Sequence, residues 1–341
     1  MPVTLGVVTD DAQARLAGRF ARHGESLEMA PMYRDLMLRC AADIAAGGPV
    51  WRLMGPHAGT SGSVAALRLL GAVHRLVLSG RAPGLAPYYP SVGGTYDGDA
   101  AWPAFLAVLP DTEPWLDRTV QTNEPARAAA LLGGFHAVSL ELGRPLRLLE
   151  AGASAGLLLR FDAYRYDLPS SSWGDLDSPV RLAMPDVPLD PSFRVASRAG
   201  CDANPIDPSS EEGRLTLLSY VWPHQLDRVE RLRAALDVAV RVPVPVEKAD
   251  AVSWVRAALA SPSGDAVPVV YHSIVMQYLS PAAREEFASV VRDAGVSPRA
   301  WLRFEPEDDR FVVRLTTWPG GHDRLLAVAN PHGYDVSWLT T

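Results

Sequence analysis

Apolar positions along residues 10–48 recur at helical spacing: Ala12, Leu16 and Phe20 in one segment, Met32, Leu36 and Ala42 in the next. Gly47-Gly48-Pro49 stops the second segment. Residues 61–80 repeat the pattern with Val64, Leu67, Leu70, Val73 and Val77, proline and glycine punctuate 83–98, and 102–120 reads as an interrupted helix. The first 120 residues therefore predict a helical module without strand alternation.

From residue 121 the pattern changes. A helix over 126–142 has Asn123 as its expected N-cap, with Glu124 and Pro125 suited to a first turn. A short apolar run, Leu146 to Leu149, ends in Glu150, and a helix is expected over 156–166. After a long irregular insertion, further strands are expected at 193–199, 242–246, 267–272 and 300–304. The helices between them fall at 211–239 (with a break at Trp222-Pro223), 251–260 and 281–294. A hairpin around Pro319-Gly320-Gly321 closes the chain, with a short strand near Val336. Repeated β-α units predict an α/β fold: a doubly wound, mostly parallel sheet with a C-terminal antiparallel hairpin, preceded by the helical module. The expected domains are 1–120 and 121–341, and ligands in such sheets sit at the carboxyl ends of strands near the switch in strand order.

Composition narrows the classes. The 341 residues are 48% hydrophobic and 21% charged, ordinary for a globular protein, and the net charge of −7 with no basic run argues against a nucleic-acid binder. Lys248 is the single lysine; arginine carries the positive charge, as in GC-rich bacterial genomes. Cys40 and Cys201 lie far apart in sequence and show neither a metal-binding spacing nor the multi-cysteine pattern of a disulfide framework, and no H-E-x-x-H or Cys/His spacing suggests a metal. The amino-terminal stretch MPVTLGVVTDDAQARLAG lacks the pattern of a signal peptide, and no apolar run is long enough for a membrane span. A cytoplasmic protein with a small-molecule substrate is expected, without nucleic-acid or membrane partners; its oligomeric state is open.

Candidate chemistry concentrates at Leu146–Leu159, LRLLEAGASAGLLL. A strand, an acid, a small-residue turn (Gly152, Ala153, Ser154, Gly156) and a helix form a nucleotide-binding corner. An acid there repels a pyrophosphate but can hydrogen-bond a ribose hydroxyl or an amine, which favours a nucleoside such as S-adenosylmethionine over a dinucleotide. A plain β-to-α turn is the bland alternative.

The strand order and these residues resemble class I S-adenosylmethionine-dependent methyltransferases over residues 121–341, with Ser154 standing where a glycine is usual. The whole chain more narrowly resembles DUF2332, an uncharacterised, largely actinobacterial family, through QTNEPARAAALL (121–132), LLEAGASAGL (148–157), GCDANPIDP (200–208), YVWPHQLDRVERLRAAL (220–236), YHSIVMQYL (271–279), WLRFEP (301–306) and TWPGG (317–321). The methyltransferase resemblance implies S-adenosylmethionine as cofactor, Asp202 (with Asn204) on the ribose hydroxyls, Asp250-Ala251 beside the adenine, and His272-Ser273 to Tyr278 lining the transfer cleft.

Each residue also has an ordinary use. Asp202 can make an Asx turn, Asp250 can cap a helix, His272 can be a core histidine, and Glu305 can pair with an arginine. In the functional reading His272 is the candidate general base, with Glu305 and Tyr278 as further candidate catalytic groups. Gln121, Asn123, Glu124 and Arg127 form a candidate lid or hinge, while Tyr89, Trp173, Trp222 and Gln277 are candidate substrate contacts. Three other readings stand beside the methyltransferase: a non-catalytic nucleoside sensor or assembly protein; a serine hydrolase, because Gly152–Gly156 also spells G-x-S-x-G, with Ser154, Asp250 and His272 or His322 as triad; and an NAD(P)-dependent oxidoreductase.

Overall fold

The computed structural model describes residues 6–27, 30–59, 62–295 and 297–339; the first five residues of the amino-terminal stretch read above lie outside them. The helices are α1 (Gly6–Glu25), α2 (Pro31–Ala45), α3 (Pro49–Met54), α4 (Gly62–Leu78), α5 (Gly98–Val108), α6 (Arg127–Leu142), α7 (Glu211–Ser219), α8 (Leu226–Arg241), α9 (Ala251–Ala260) and α10 (Pro281–Arg292). The strands are β1 (Leu146–Ala151), β2 (Arg165–Asp167), β3 (Ser172–Gly174), β4 (Arg181–Ala183), β5 (Val195–Asp202), β6 (Val246–Lys248), β7 (Val267–Ser273), β8 (Arg299–Glu307), β9 (Arg310–Trp318), β10 (His322–Ala329) and β11 (Ser337–Trp338). Backbone contacts group residues 1–122 with 211–230, and 123–210 with 231–341.

The first unit is helical. Leu16, Phe20, Leu36, Leu70 and Val73, the apolar stripe read from the sequence, are fully or almost fully buried in its core. Assigning residues 121–341 to one domain overlooks an excursion: 211–230 groups with the helical unit. Side chains on α4 explain why. Arg75 donates to Thr216 Oγ1 at 3.1 Å, and the buried His74 ring lies 3.1 Å from the Ser219 carbonyl.

The second unit carries an eight-stranded sheet in the order β11-β10-β9-β8-β7-β1-β5-β6, with a three-stranded sheet, β3-β2-β4, in the insertion. From β6 to β8 the neighbours are parallel, and β8 to β11 continue as an antiparallel meander. The fold is thus mixed α/β with a large, mostly parallel sheet, as the repeated β-α units predict. Strand β7 is buried along its whole length, the signature of a sheet covered on both faces. Phe135 of α6 packs edge-on against Tyr271, while Val270, one residue earlier, joins Val252, Val255 and Phe287 of α9 and α10 on the other face. Helix α6 lies close to the sheet because Gly134 has no side chain: a Cβ there would stand 2.4 Å from Leu302.

The strand expected at 242–246 forms instead at Val246–Lys248, and two further local expectations fail. Residues 156–166 do not form an α-helix; a 3-10 turn over Leu158–Ala163 leads directly into β2. Side chains donate to carbonyls along this turn, two of which, Leu157 O and Phe161 O, also accept the backbone N–H groups of Arg160 and Tyr164. Arg160 Nη1 donates to Ala155 O (3.0 Å) and Gly156 O (2.6 Å), Tyr164 Oη to Leu157 O, Arg198 to Leu159 O and Tyr166 Oη to Phe161 O. Nor does Asn123 cap α6, whose N-cap is Ala126 with no side-chain cap bond; Asn123 Oδ1 instead accepts the Leu157 N–H at 3.0 Å.

Candidate functional site

The carboxyl ends of β1, β5, β6 and β7 bring Glu150, the glycine turn, Asp202, Asp250 and His272 to one edge of the sheet, where strand order switches between β1 and β7. The turn bends as its residues suggest. Gly152 (φ 72), Ser154 (φ 53) and Gly156 (φ 68) all adopt left-handed conformations. A serine at positive φ costs more than a glycine, so other contacts must hold the turn in place.

Those contacts come from within the protein. The Gly152 and Ala153 N–H groups both donate to Cys201 O at 2.9 Å, Ser154 N–H to Asp202 Oδ2 at 2.9 Å, and Gly156 N–H to Ala153 O at 2.7 Å. With Leu157 N–H on Asn123, the turn directs these donors into the fold instead of forming an open phosphate cradle. Glu150, Ala153 and Ser154 are buried, and the Val275 side chain lies 2.5 Å from where a Gly152 Cβ would be.

The acids at this edge differ in what they can offer. Glu150 is 1% exposed and accepts from Tyr271 Oη at 3.2 Å; burial pushes its carboxyl well above the usual range, against the opposing pull of Tyr271 and Arg160. Its observed hydrogen-bond partner is the Tyr271 phenol, within the protein. Asp202 is half-buried, and its other oxygen accepts the Asn204 N–H at 2.8 Å, the Asx turn weighed above. Asp250 is exposed and caps α9, accepting the Ser253 N–H at 2.9 Å; Ala251 is the first residue of that helix. A carboxylate oxygen has two lone-pair directions, so Asp202 and Asp250 retain capacity to accept from a ligand.

His272 is fully buried with both ring nitrogens engaged. Trp301 Nε1–H donates to Nε2 at 3.1 Å, which fixes the proton on Nδ1, and Nδ1–H donates to Glu305 Oε1 at 2.6 Å. The same oxygen accepts Val275 N–H at 2.8 Å and Met276 N–H at 3.3 Å. Burial raises the Glu305 carboxyl, but these hydrogen bonds outweigh it and hold the group below its ordinary value. Glu305 pairs with His272, not with the arginine its ordinary reading proposes. A base needs a free nitrogen, and His272 has none here. Tyr278, 63% exposed, and Gln277 lie on the surface.

The lid candidates separate. Arg127 donates to Pro331 O and to Ser273 O, tying α6 to the end of β7, and Glu124 accepts the Ala126 N–H. Gln121 is buried in the first unit. Also in that unit, Tyr89 is fully buried and Trp222 packs 5.7 Å from Tyr33. Trp173 belongs to an aromatic cluster with His136, Phe161 and Phe193 in the second unit. The hydrolase residues do not assemble. Asp250 caps a helix, His272 is committed to Glu305, and His322 pairs with Thr317, which faces Ala300 near the opposite edge of the sheet. A cavity of about 310 Å³ between the C-terminal halves of α9 and α10 also lies toward that opposite edge. Among the described residues no cluster of histidine, cysteine and carboxylate side chains could hold a metal, and no helix is long and apolar enough to cross a membrane.

Sequence reasoning missed Tyr271, Trp301 and Arg160, which hold the edge, and reached Val275, which covers it, only as part of the stretch His272–Tyr278. Their signal is three-dimensional: each acts on a residue distant in sequence or through a carbonyl that periodicity does not report.

Comparison with known proteins gives a family. Residues 14–338 match the family described as an uncharacterized protein conserved in bacteria, DUF2332. A search of curated proteins finds no match. Among solved structures the chain is similar to the crystal structure of Streptomyces venezuelae DesVI, at 13% identity over 63% of this chain and 75% of that one, with a TM-score of 0.26, too low to bear on function.

Proposed function

The chain belongs to DUF2332, and from that premise we propose that its second unit binds a nucleoside ligand, S-adenosylmethionine being the leading candidate, at the Asp202–Asp250 edge. One observation carries the reading: two carboxylates that keep acceptor capacity stand at adjacent strand ends beside a glycine turn, where the strand order switches. The chemistry of that edge selects the ligand class. Five N–H groups of the turn, those of Gly152, Ala153, Ser154, Gly156 and Leu157, are spent on Cys201, Asp202, Ala153 and Asn123, so a pyrophosphate finds repulsion and few donors. Hydroxyls and an exocyclic amine find acceptors. This disfavours the NAD(P) reading.

The fit to S-adenosylmethionine is partial. Asp202 and Asp250 suit the ribose and base; Glu150, buried on Tyr271, is not available to the amino-acid end. When bound, that cofactor would supply an electrophilic methyl group. The engagement of both His272 nitrogens favours a second reading, ligand binding without turnover, as in a sensor or assembly protein.

Calorimetric titration with S-adenosylmethionine, S-adenosylhomocysteine and NAD tests the first reading. Binding of the first two that falls about tenfold or more in Asp202→Asn and Asp250→Ser, the serine preserving the helix cap, supports it. No binding at millimolar ligand, or binding of NAD alone, overturns it. Transfer of labelled methyl groups to small metabolites would then separate an enzyme from a sensor.

A further inference from the structure

The segment between β7 and α10 bears on how that edge admits a ligand. Ile274 has φ 57, a left-handed conformation rare for a β-branched residue. It is held there by its N–H on Phe304 O at 2.8 Å and by the next two N–H groups on Glu305 Oε1. His272, fixed in its tautomer by Trp301, donates to the same oxygen. One carboxylate oxygen thus gathers three donors and sets the path of the chain. The result is that Val275 sits in the notch beside Gly152, at the switch point of the sheet. Beyond it, Gln277 and Tyr278 are exposed, and Ser280 caps α10, its side chain accepting the Ala283 N–H. The segment is therefore bounded by two fixed ends and contains only a 3-10 turn.

We propose that residues 274–278 form a hinged plug: Val275 and the ligand compete for the notch beside Gly152, and Glu305 is the latch that keeps the plug in. This rests on the nucleoside reading of the same edge. Strain at Ile274 favours release, while the three hydrogen bonds to Glu305 oppose it. Ligand affinity is then reduced by the fraction of molecules with the plug out, so residues that never touch ligand tune it.

The test reads loop and ligand separately in the full chain, by amide hydrogen exchange over residues 272–280 and by calorimetry with S-adenosylhomocysteine. Glu305→Gln weakens the latch: exchange at Val275 and Met276 rises about tenfold and the ligand binds more tightly. Ile274→Asn, which tolerates the left-handed conformation, relieves the strain with the plug in: exchange slows severalfold and affinity falls. Opposite shifts in the two variants support the plug, and Ile274→Asn keeps the test alive if Glu305→Gln does not fold. Loop exchange that responds in this way with no ligand bound by any form upholds the latch and removes the nucleoside reading. Equal ligand affinity in all forms with unchanged exchange overturns the plug and leaves the nucleoside reading standing.

Discussion

Glu150 and Glu305 end strands of the same sheet, one strand apart, and live in opposite electrostatic worlds. Glu150 is sealed in with one phenol as its hydrogen-bond partner, and burial drives it toward the neutral form. Glu305 is also largely buried, yet three donors converge on one of its oxygens and favour the charged form. The difference teaches that an acid in a recognisable motif is not thereby the acid that carries charge. The acid of the glycine-turn motif packs; the acid at the end of β8 organises the edge.

Glu305→Ala breaks the contrast most severely. It leaves His272, Val275 and Met276 without their common acceptor, and urea unfolding should show a loss of about 3–5 kcal/mol. Glu150→Gln should act in the other direction. In the wild type the unfolded chain ionises Glu150 near its ordinary pKa while the folded chain resists, so stability falls as pH rises above that value. The neutral amide removes this penalty and should raise stability at pH 7, with the gain fading as pH falls to the ordinary carboxylate range. The sign reverses for Glu305→Gln. Glu305 is held below its ordinary value, so its contribution is present above the carboxylate range and lost as pH falls through its folded pKa; the cost of the substitution should fade in acid.

His136 adds a background to both profiles. Burial pushes it down to about 4 from the ordinary 6.5, so the unfolded chain takes up the proton first and stability should decline as pH falls from 6.5 to about 4, by up to ~1.4 kcal/mol per pH unit. Differences between variants, not absolute curves, are the quantity to compare. The smallest effect is expected for Tyr271→Phe, which removes one neutral hydrogen bond from Glu150 and should cost about 1 kcal/mol by urea unfolding. A cost near that of Glu305→Ala would show that Glu150 is charged after all and would dissolve the contrast.

Much of the fold was legible because burial is periodic. The stripe from Leu16 to Phe20, the wholly apolar β7, the Asp250 cap of α9 and the positive-φ glycines of the turn each follow from local rules. What escaped was set by long-range side-chain hydrogen bonds. Arg160, Tyr164 and Tyr166 dissolve a helix that the apolar pattern at 156–166 suggests, and Asn123 serves Leu157 instead of the helix it precedes. At the site, the residues that gather at one strand edge could be named from the resemblance to class I methyltransferases, which places an acid after each strand. That His272 would be locked by Trp301 and Glu305, and that Val275 would stand before Gly152, could not, because those partners are brought together only by the crossover from β7 to β8 and the switch at β1.

Lys248 lies on β6 directly opposite Asp202 and is exposed. As the chain's single lysine, it offers amine-selective reagents one side-chain address, on the residue paired in register with the acid on which ligand recognition would turn. A fluorophore coupled there would report occupancy of that edge from wild-type protein, with no engineered cysteine and no need to know the ligand's identity beforehand.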